Sequence, residues 1–157
     1  MADLQLMDTL TGQVDRHEGN IFIDPKTGAV RGIDNDLAFG GESTGNGVNA
    51  DFLPQQIDAG TGQRLLDMSN DDFLQAISKR RGDHGELSEI ERDQALNRFK
   101  IMKAHISALQ KEDGLISEWN SDTHSAAING GGTNYLRRHH EAMEEGRSGK
   151  NEYLRLH

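Results

Sequence analysis

No cysteine occurs among the 157 residues. Disulfides and thiolate-held metals are therefore excluded, while the redox compartment stays open. Proline occurs twice, aromatic residues make up 5% of the chain, and hydrophobic residues total 34%. A chain of this length forms one domain around one core. So lean an apolar fraction predicts a modest core under long polar loops. Apolar runs of about 18 residues, the length that crosses a bilayer, are missing. The N-terminus also lacks the charged-then-apolar layout of a secretory signal. Basic residues are the minority: 17 Lys and Arg against 26 Asp and Glu give a net charge of −9. The basic footprint of a nucleic-acid binder is therefore absent.

Glycine is plentiful, at 18 residues. It clusters before Leu65 and near Gly130, which predicts loops in both places. Between the loops the pattern is helical. Ala2 to Thr11 carries Leu4, Leu6, Met7 and Leu10 on one side at helical spacing, and Gly12 ends it. Ser69 caps a helix to about Arg80 that faces Phe73, Leu74 and Ile77 inward. Ser88 and Glu91 form a second capping box. The helix behind it runs to about Lys111 with an apolar stripe of Ile90, Ala95, Phe99, Met102, Ile106 and Leu109, and Gly114 stops it. Gly40 to Gly62 has no period and reads as a long exposed loop, followed by a short turn from Arg64 to Met68. Leu115 to Trp119 is a short apolar segment. A last helix is expected over Tyr135 to Glu145, and the tail after Gly146 is polar.

One β element stands out. Ile21-Phe22-Ile23 leads into Asp24-Pro25-Lys26-Thr27-Gly28, which is turn chemistry, and Ala29 to Ile33 returns. This is a β-hairpin. The fold class expected is mainly α with a small β-hairpin.

The chemistry lies at the open end of that hairpin. Asp15 and Asn20 stand five apart before its first strand, in the polar stretch Asp15-Arg16-His17-Glu18-Gly19-Asn20, and Asp34 follows its second strand. A tight hairpin draws Asn20 and Asp34 side by side, with Asp15 close by. The result is an oxygen-rich cluster of the kind Mg²⁺ takes up together with phosphate oxygens. Kinases use such a set: one aspartate orients the substrate hydroxyl, and an asparagine and a second aspartate hold the metals bridging the nucleotide phosphates. Asp15 to Asn20 has the D-x-x-x-x-N spacing of the protein-kinase catalytic loop, with D-R-H in place of H-R-D.

Asp-Arg-His followed by Ile33-Asp34-Asn35-Asp36-Leu37-Ala38-Phe39 resembles the atypical kinases: phosphoinositide 3- and 4-kinases, the Golgi secretory-pathway kinases and related bacterial effector kinases. The form is most similar to type II phosphoinositide 4-kinases and secretory kinases, and departs from them at Asp36, where those families carry glycine. The resemblance covers roughly residues 2 to 110, with Leu53-Pro54 ending an activation-type loop and Leu87-Ser88-Glu89 opening a helix with Arg92 and Arg98. It implies a protein-kinase-like C-terminal lobe: catalytic loop and metal-binding hairpin over residues 2–40, activation-type loop over 41–60, helical subdomain over 61–145 and tail over 146–157. It implies Asp15 as the catalytic residue, and Asn20 and Asp34 as the metal and cofactor residues. Mg²⁺ and ATP are the implied cofactors, and transfer of the γ-phosphate to a protein or lipid hydroxyl is the implied reaction. His17 is expected to hold the loop by hydrogen bonds, and Asp36 is a candidate second metal ligand. The implied location is the cytoplasm, or the host cytosol for a secreted effector.

Only 14 residues precede Asp15. A Gly-rich strand loop, a strand lysine and a helix glutamate cannot fit there, and Lys26 in the hairpin turn cannot serve. The expectation is a lobe that works with an N-terminal lobe supplied by the same or a separate chain. The alternative is a non-catalytic helical interaction module or pseudokinase scaffold. Other motifs are weaker. Gly130-Gly131-Gly132 lacks the Lys-Ser/Thr of a P-loop. His139 and His140 point about 100° apart on a helix. Asp34-Asn35-Asp36 has Phe39 where a calcium loop needs glycine.

Overall fold

The computed structural model describes residues 2–13, 16, 18–24, 26–27, 29–39, 53–78, 86–120 and 122–123. Outside them lie Asp15, His17, most of the loop expected from Gly40, Lys79 to Arg81, Gly130 to Gly132, and the helix expected over Tyr135 to Glu145 with His139 and His140. The described residues form four α-helices and two small two-stranded sheets. In chain order they are α1 (Ala2–Thr11), a 3-10 turn (Glu18–Asn20), β1 (Ile21–Ile23), β2 (Val30–Gly32), β3 (Ile57–Asp58), α2 (Ala59–Asp67), α3 (Asn70–Ser78), α4 (Glu89–Lys111) and β4 (Leu115–Ile116). The mainly helical architecture with a small hairpin matches the sequence reading.

Helix α4 is the axis of the core. Its start carries the expected capping box: Ser88 Oγ accepts from the Glu91 amide at 3.3 Å, and Glu91 Oε2 accepts from the Ser88 amide at 2.7 Å. Two of the helix's orphan N–H groups are thus satisfied reciprocally. Ala95, Phe99, Met102 and Ile106 are fully buried and meet Leu6 and Leu10 of α1, Ile57 of β3 and Phe73 of α3. Phe73 and Phe99 stack with ring centroids 4.3 Å apart. Truncating a ring buried in this way typically costs about 3–5 kcal/mol. Ile90 corrects the expected stripe. It is 67% exposed, and the buried residues of α4 begin at Gln94. At the other end Asp113 takes the left-handed turn (φ 54°), and the Gly114 amide donates to the Leu109 carbonyl at 2.8 Å.

The stretch read as loop up to Gly62 is described from Leu53 onward, and its end is regular structure. Ile57 and Asp58 pair in parallel with Leu115 and Ile116, and α2 begins at Ala59. Asp58 caps α2 by accepting from the Thr61 amide at 2.8 Å. The two glycines inside α2 lower its intrinsic propensity, yet Gly62 is buried where a Cβ would press to 3.3 Å on Ile106. Packing therefore overrides propensity here. The expected turn from Arg64 to Met68 is the end of this helix, with Lys103 Nζ donating to the Met68 carbonyl at 2.8 Å. Helix α3 begins as expected at Ser69, whose hydroxyl accepts from the Asp72 amide at 3.0 Å.

Helix α1 packs against α4, β2 and β3. Contacts on several sides bury Gln5, Asp8 and Thr9 as well as Leu6 and Leu10, while Met7 is 53% exposed. The single apolar side expected for this helix is thus replaced by a broader buried arc that includes polar residues. Arg98 of α4, 1% exposed, reaches the C-terminal end of α1. Its Nε donates to the Leu10 carbonyl at 3.1 Å and its Nη2 to the Thr11 carbonyl at 3.4 Å. Burial pushes the pKa of this guanidinium down. The carbonyl end of a helix dipole is where a cation is favoured.

Candidate functional site

The hairpin register decides which residues meet at its mouth. Ile21 pairs with Gly32 and Ile23 with Val30, in antiparallel order. One step further out, the Ile33 amide donates to the Asn20 carbonyl at 2.9 Å. Asn20, buried at the end of the 3-10 turn, and Asp34, exposed just past β2, therefore emerge at the same end of the hairpin. At the other end, Asp24 Oδ1 accepts from the amides of Lys26 (2.8 Å) and Thr27 (3.2 Å), and these bonds hold its pKa below the ordinary value. An Asx turn of this kind fixes the chain reversal and with it the register.

The mouth is tied together by Arg16. Its Nε and Nη2 grip both carboxylate oxygens of Asp8, each at 2.9 Å. Its Nη1 donates to the carbonyls of Asn20 at 3.1 Å and Ile33 at 2.6 Å, and Nη2 also donates to Asn35 Oδ1. All five guanidinium N–H groups are thus used, with the side chain only 4% exposed. Lysine, with three donors on one atom, cannot reproduce such a fork. A second tie comes from Gln13, whose Nε2 donates to the Asp34 carbonyl at 2.8 Å. A third runs from the Phe39 amide to the Thr11 carbonyl at 2.7 Å. Asp34 (φ 55°) and Phe39 (φ 62°) both take the left-handed conformation. Short polar Asp tolerates it, but for Phe it is costly and must be held by such surroundings.

Of the sequence-derived site residues, Asn20 and Asp34 are brought to one end of the hairpin. Asp15 and His17 lie outside the described residues, and Asp36 is exposed in the turn that follows Asn35. Among the described residues no three His, Asp or Glu side chains gather closely enough to hold a metal ion by themselves. Asn20 and Asp34 bring one side-chain amide and one carboxylate to that end of the hairpin, the first buried and the second exposed. That hard, oxygen-only set is what Mg²⁺ uses when phosphate oxygens and water complete its shell.

Sequence reasoning missed the residues that organise this site: Asp8, Gln13 and Arg16. Helical spacing gave no signal for Asp8, which lies about 200° around the helix from Leu6 and Leu10; it is buried because α1 is contacted on several sides. A buried carboxylate requires a partner. None of the helices among the described residues is long and apolar enough to cross a membrane. No protein-family model, curated protein or solved structure gives a significant match to this chain.

Proposed function

We propose that this chain is the catalytic-loop and metal-binding lobe of an atypical kinase, acting on a protein or lipid hydroxyl with Mg²⁺ and ATP. One observation carries the reading: the hairpin register delivers Asn20 and Asp34 to a common mouth, the relation a two-residue metal clamp needs. In this reading Asn20 and Asp34 hold Mg²⁺, which supplies charge neutralisation at the nucleotide phosphates. Asp15 orients the acceptor hydroxyl and takes its proton. Arg16 holds the two ends of the hairpin mouth together. A glycine-rich strand loop and its lysine, which clamp nucleotide in kinases, belong to a partner lobe in the same or another chain.

The test is transfer of label from γ-labelled ATP to protein and phosphoinositide acceptors, with the lobe joined to its nucleotide-clamping partner. Mg²⁺-dependent transfer that Asp34→Asn abolishes is the expected result. A folded assembly that binds Mg-ATP and transfers nothing to either class of acceptor overturns the reading.

A further inference from the structure

Asp34 is unusual among the site residues in how its backbone is held. It sits in the left-handed region at φ 55°. The carbonyl before it, of Ile33, accepts from Arg16 Nη1 at 2.6 Å, and its own carbonyl accepts from Gln13 Nε2 at 2.8 Å. Both peptide planes that flank its Cα are therefore fixed by side chains from the segment following α1. Those two planes set the direction in which the Asp34 side chain leaves the backbone. Both donors are themselves anchored on α1: Arg16 through the Asp8 carboxylate, and Gln13 through its own amide, which donates to the Asp8 carbonyl at 2.9 Å. Gln13 is buried and the Arg16 side chain nearly so, which protects both bonds from competition by water.

We infer that Gln13 and Arg16 are positioning residues for the metal site, holding the Ile33 and Asp34 carbonyls so that the Asp34 carboxylate is presented beside Asn20. The inference rests on the kinase-like reading of Asn20 and Asp34 as metal residues. Neither residue touches the ion. They act as the groups behind a ligand do in metal sites, where losing such support typically costs about 10–100-fold in affinity.

The probe is Mn²⁺ alone, titrated into the full chain while amide NMR signals are followed for paramagnetic broadening. In the wild type the amides of Asn20, Ile33, Asp34 and Asn35 should broaden selectively, and Asp34→Asn should abolish this. Gln13→Met keeps length and burial but offers no donor. Arg16→Lys keeps the charge but not the fork. Both should weaken the apparent Mn²⁺ affinity by about 10–100-fold. The signals of Phe99, Met102 and Ile106 in the core should stay in place for Gln13→Met, which separates positioning from loss of fold. Gln13→Met alone decides the matter if Arg16→Lys unfolds. If Asp34→Asn abolishes broadening while folded Gln13→Met and Arg16→Lys bind as the wild type does, the positioning inference fails and the metal reading stands. Absence of selective broadening in the wild type removes the metal site and the inference with it.

Discussion

A Cβ on Gly32 would lie 2.8 Å from the Cζ of Arg16 and 2.9 Å from Leu4 Cδ1. The second strand of the hairpin thus approaches the Arg16 guanidinium as closely as a backbone without a side chain allows. Arg16 cannot swing aside, because its five donors are committed to Asp8, Asn20, Ile33 and Asn35. Gly32→Ala should therefore behave as an overpacking substitution and destabilise the chain by about 1–3 kcal/mol. Urea unfolding checks this. A loss below a few tenths of a kcal/mol would mean that the clamp yields easily and does not define the hairpin mouth.

Arg98 and Gly12 form a second such pair. Gly12 has φ 69°, and a Cβ there would come within 2.9 Å of Arg98 Cζ. Arg98→Ala removes the guanidinium donor from the Leu10 carbonyl, which should cost about 1–3 kcal/mol for that buried group alone. Gly12→Ala should also destabilise, through both the clash and the left-handed backbone. In the Arg98→Ala background the clash disappears, so Gly12→Ala should cost less there than in the wild type. A double-mutant cycle by denaturant unfolding measures the coupling. Strict additivity would show that the two residues do not press on each other.

Asp58 predicts part of the acid response. The Thr61 amide at the start of α2, more than any other group, holds its pKa below the ordinary 3.8. Folding therefore favours the carboxylate. Its contribution is in place above pH 3.8, the value taken for the unfolded chain, and is lost as pH falls through the lower folded value. Asp58→Ala should cost about 1 kcal/mol at neutral pH through loss of the cap. Asp58→Asn keeps an acceptor but no longer titrates, so its stability should fall less steeply with acid below that range. An acid limb as steep in Asp58→Asn as in the wild type would assign the response to other carboxylates.

Local rules made much of this fold legible. Ala2–Thr11 is bounded by Gly12, Ser88 and Glu91 announce α4, and the turn residues from Asp24 announce the hairpin. What escaped depends on contacts distant in sequence. The pairing of Ile57 with Leu115 joins two-residue strands too short to carry a period. Helix α2 contains Gly60 and Gly62, which local propensity penalises, and it is anchored by a cap at Asp58 and by packing on Ile106. At the site, the spacing of Asn20 and Asp34 was readable because a hairpin is a local object. The clamp was not, because Arg16 reaches Ile33 and Asn35 across the hairpin and Asp8 back on α1.

The last prediction separates the roles that the proposed function gives to Asp15 and Asp34. In the proposed function Asp15 accepts a hydrogen bond from the attacking hydroxyl and orients it. Asp15→Asn keeps size but removes the charge and the proton acceptor. Positioned acid–base groups contribute about 10²- to 10⁴-fold, so turnover should fall by about that factor while nucleotide affinity changes little. Asp34→Asn removes the carboxylate that the proposed function assigns to the metal, so both the rate and its dependence on Mg²⁺ should shift. On the same proposal, these 157 residues alone should bind ATP weakly or not at all, because the nucleotide cleft of a kinase lies between two lobes, and calorimetry with Mg²⁺ present checks this. Steady-state kinetics with the lobe joined to its nucleotide-clamping partner, titrating Mg²⁺ for each variant, distinguishes the two aspartates. Near-normal turnover in Asp15→Asn would make Asp15 structural. An unchanged Mg²⁺ dependence in Asp34→Asn would take the proposed metal away from the hairpin mouth.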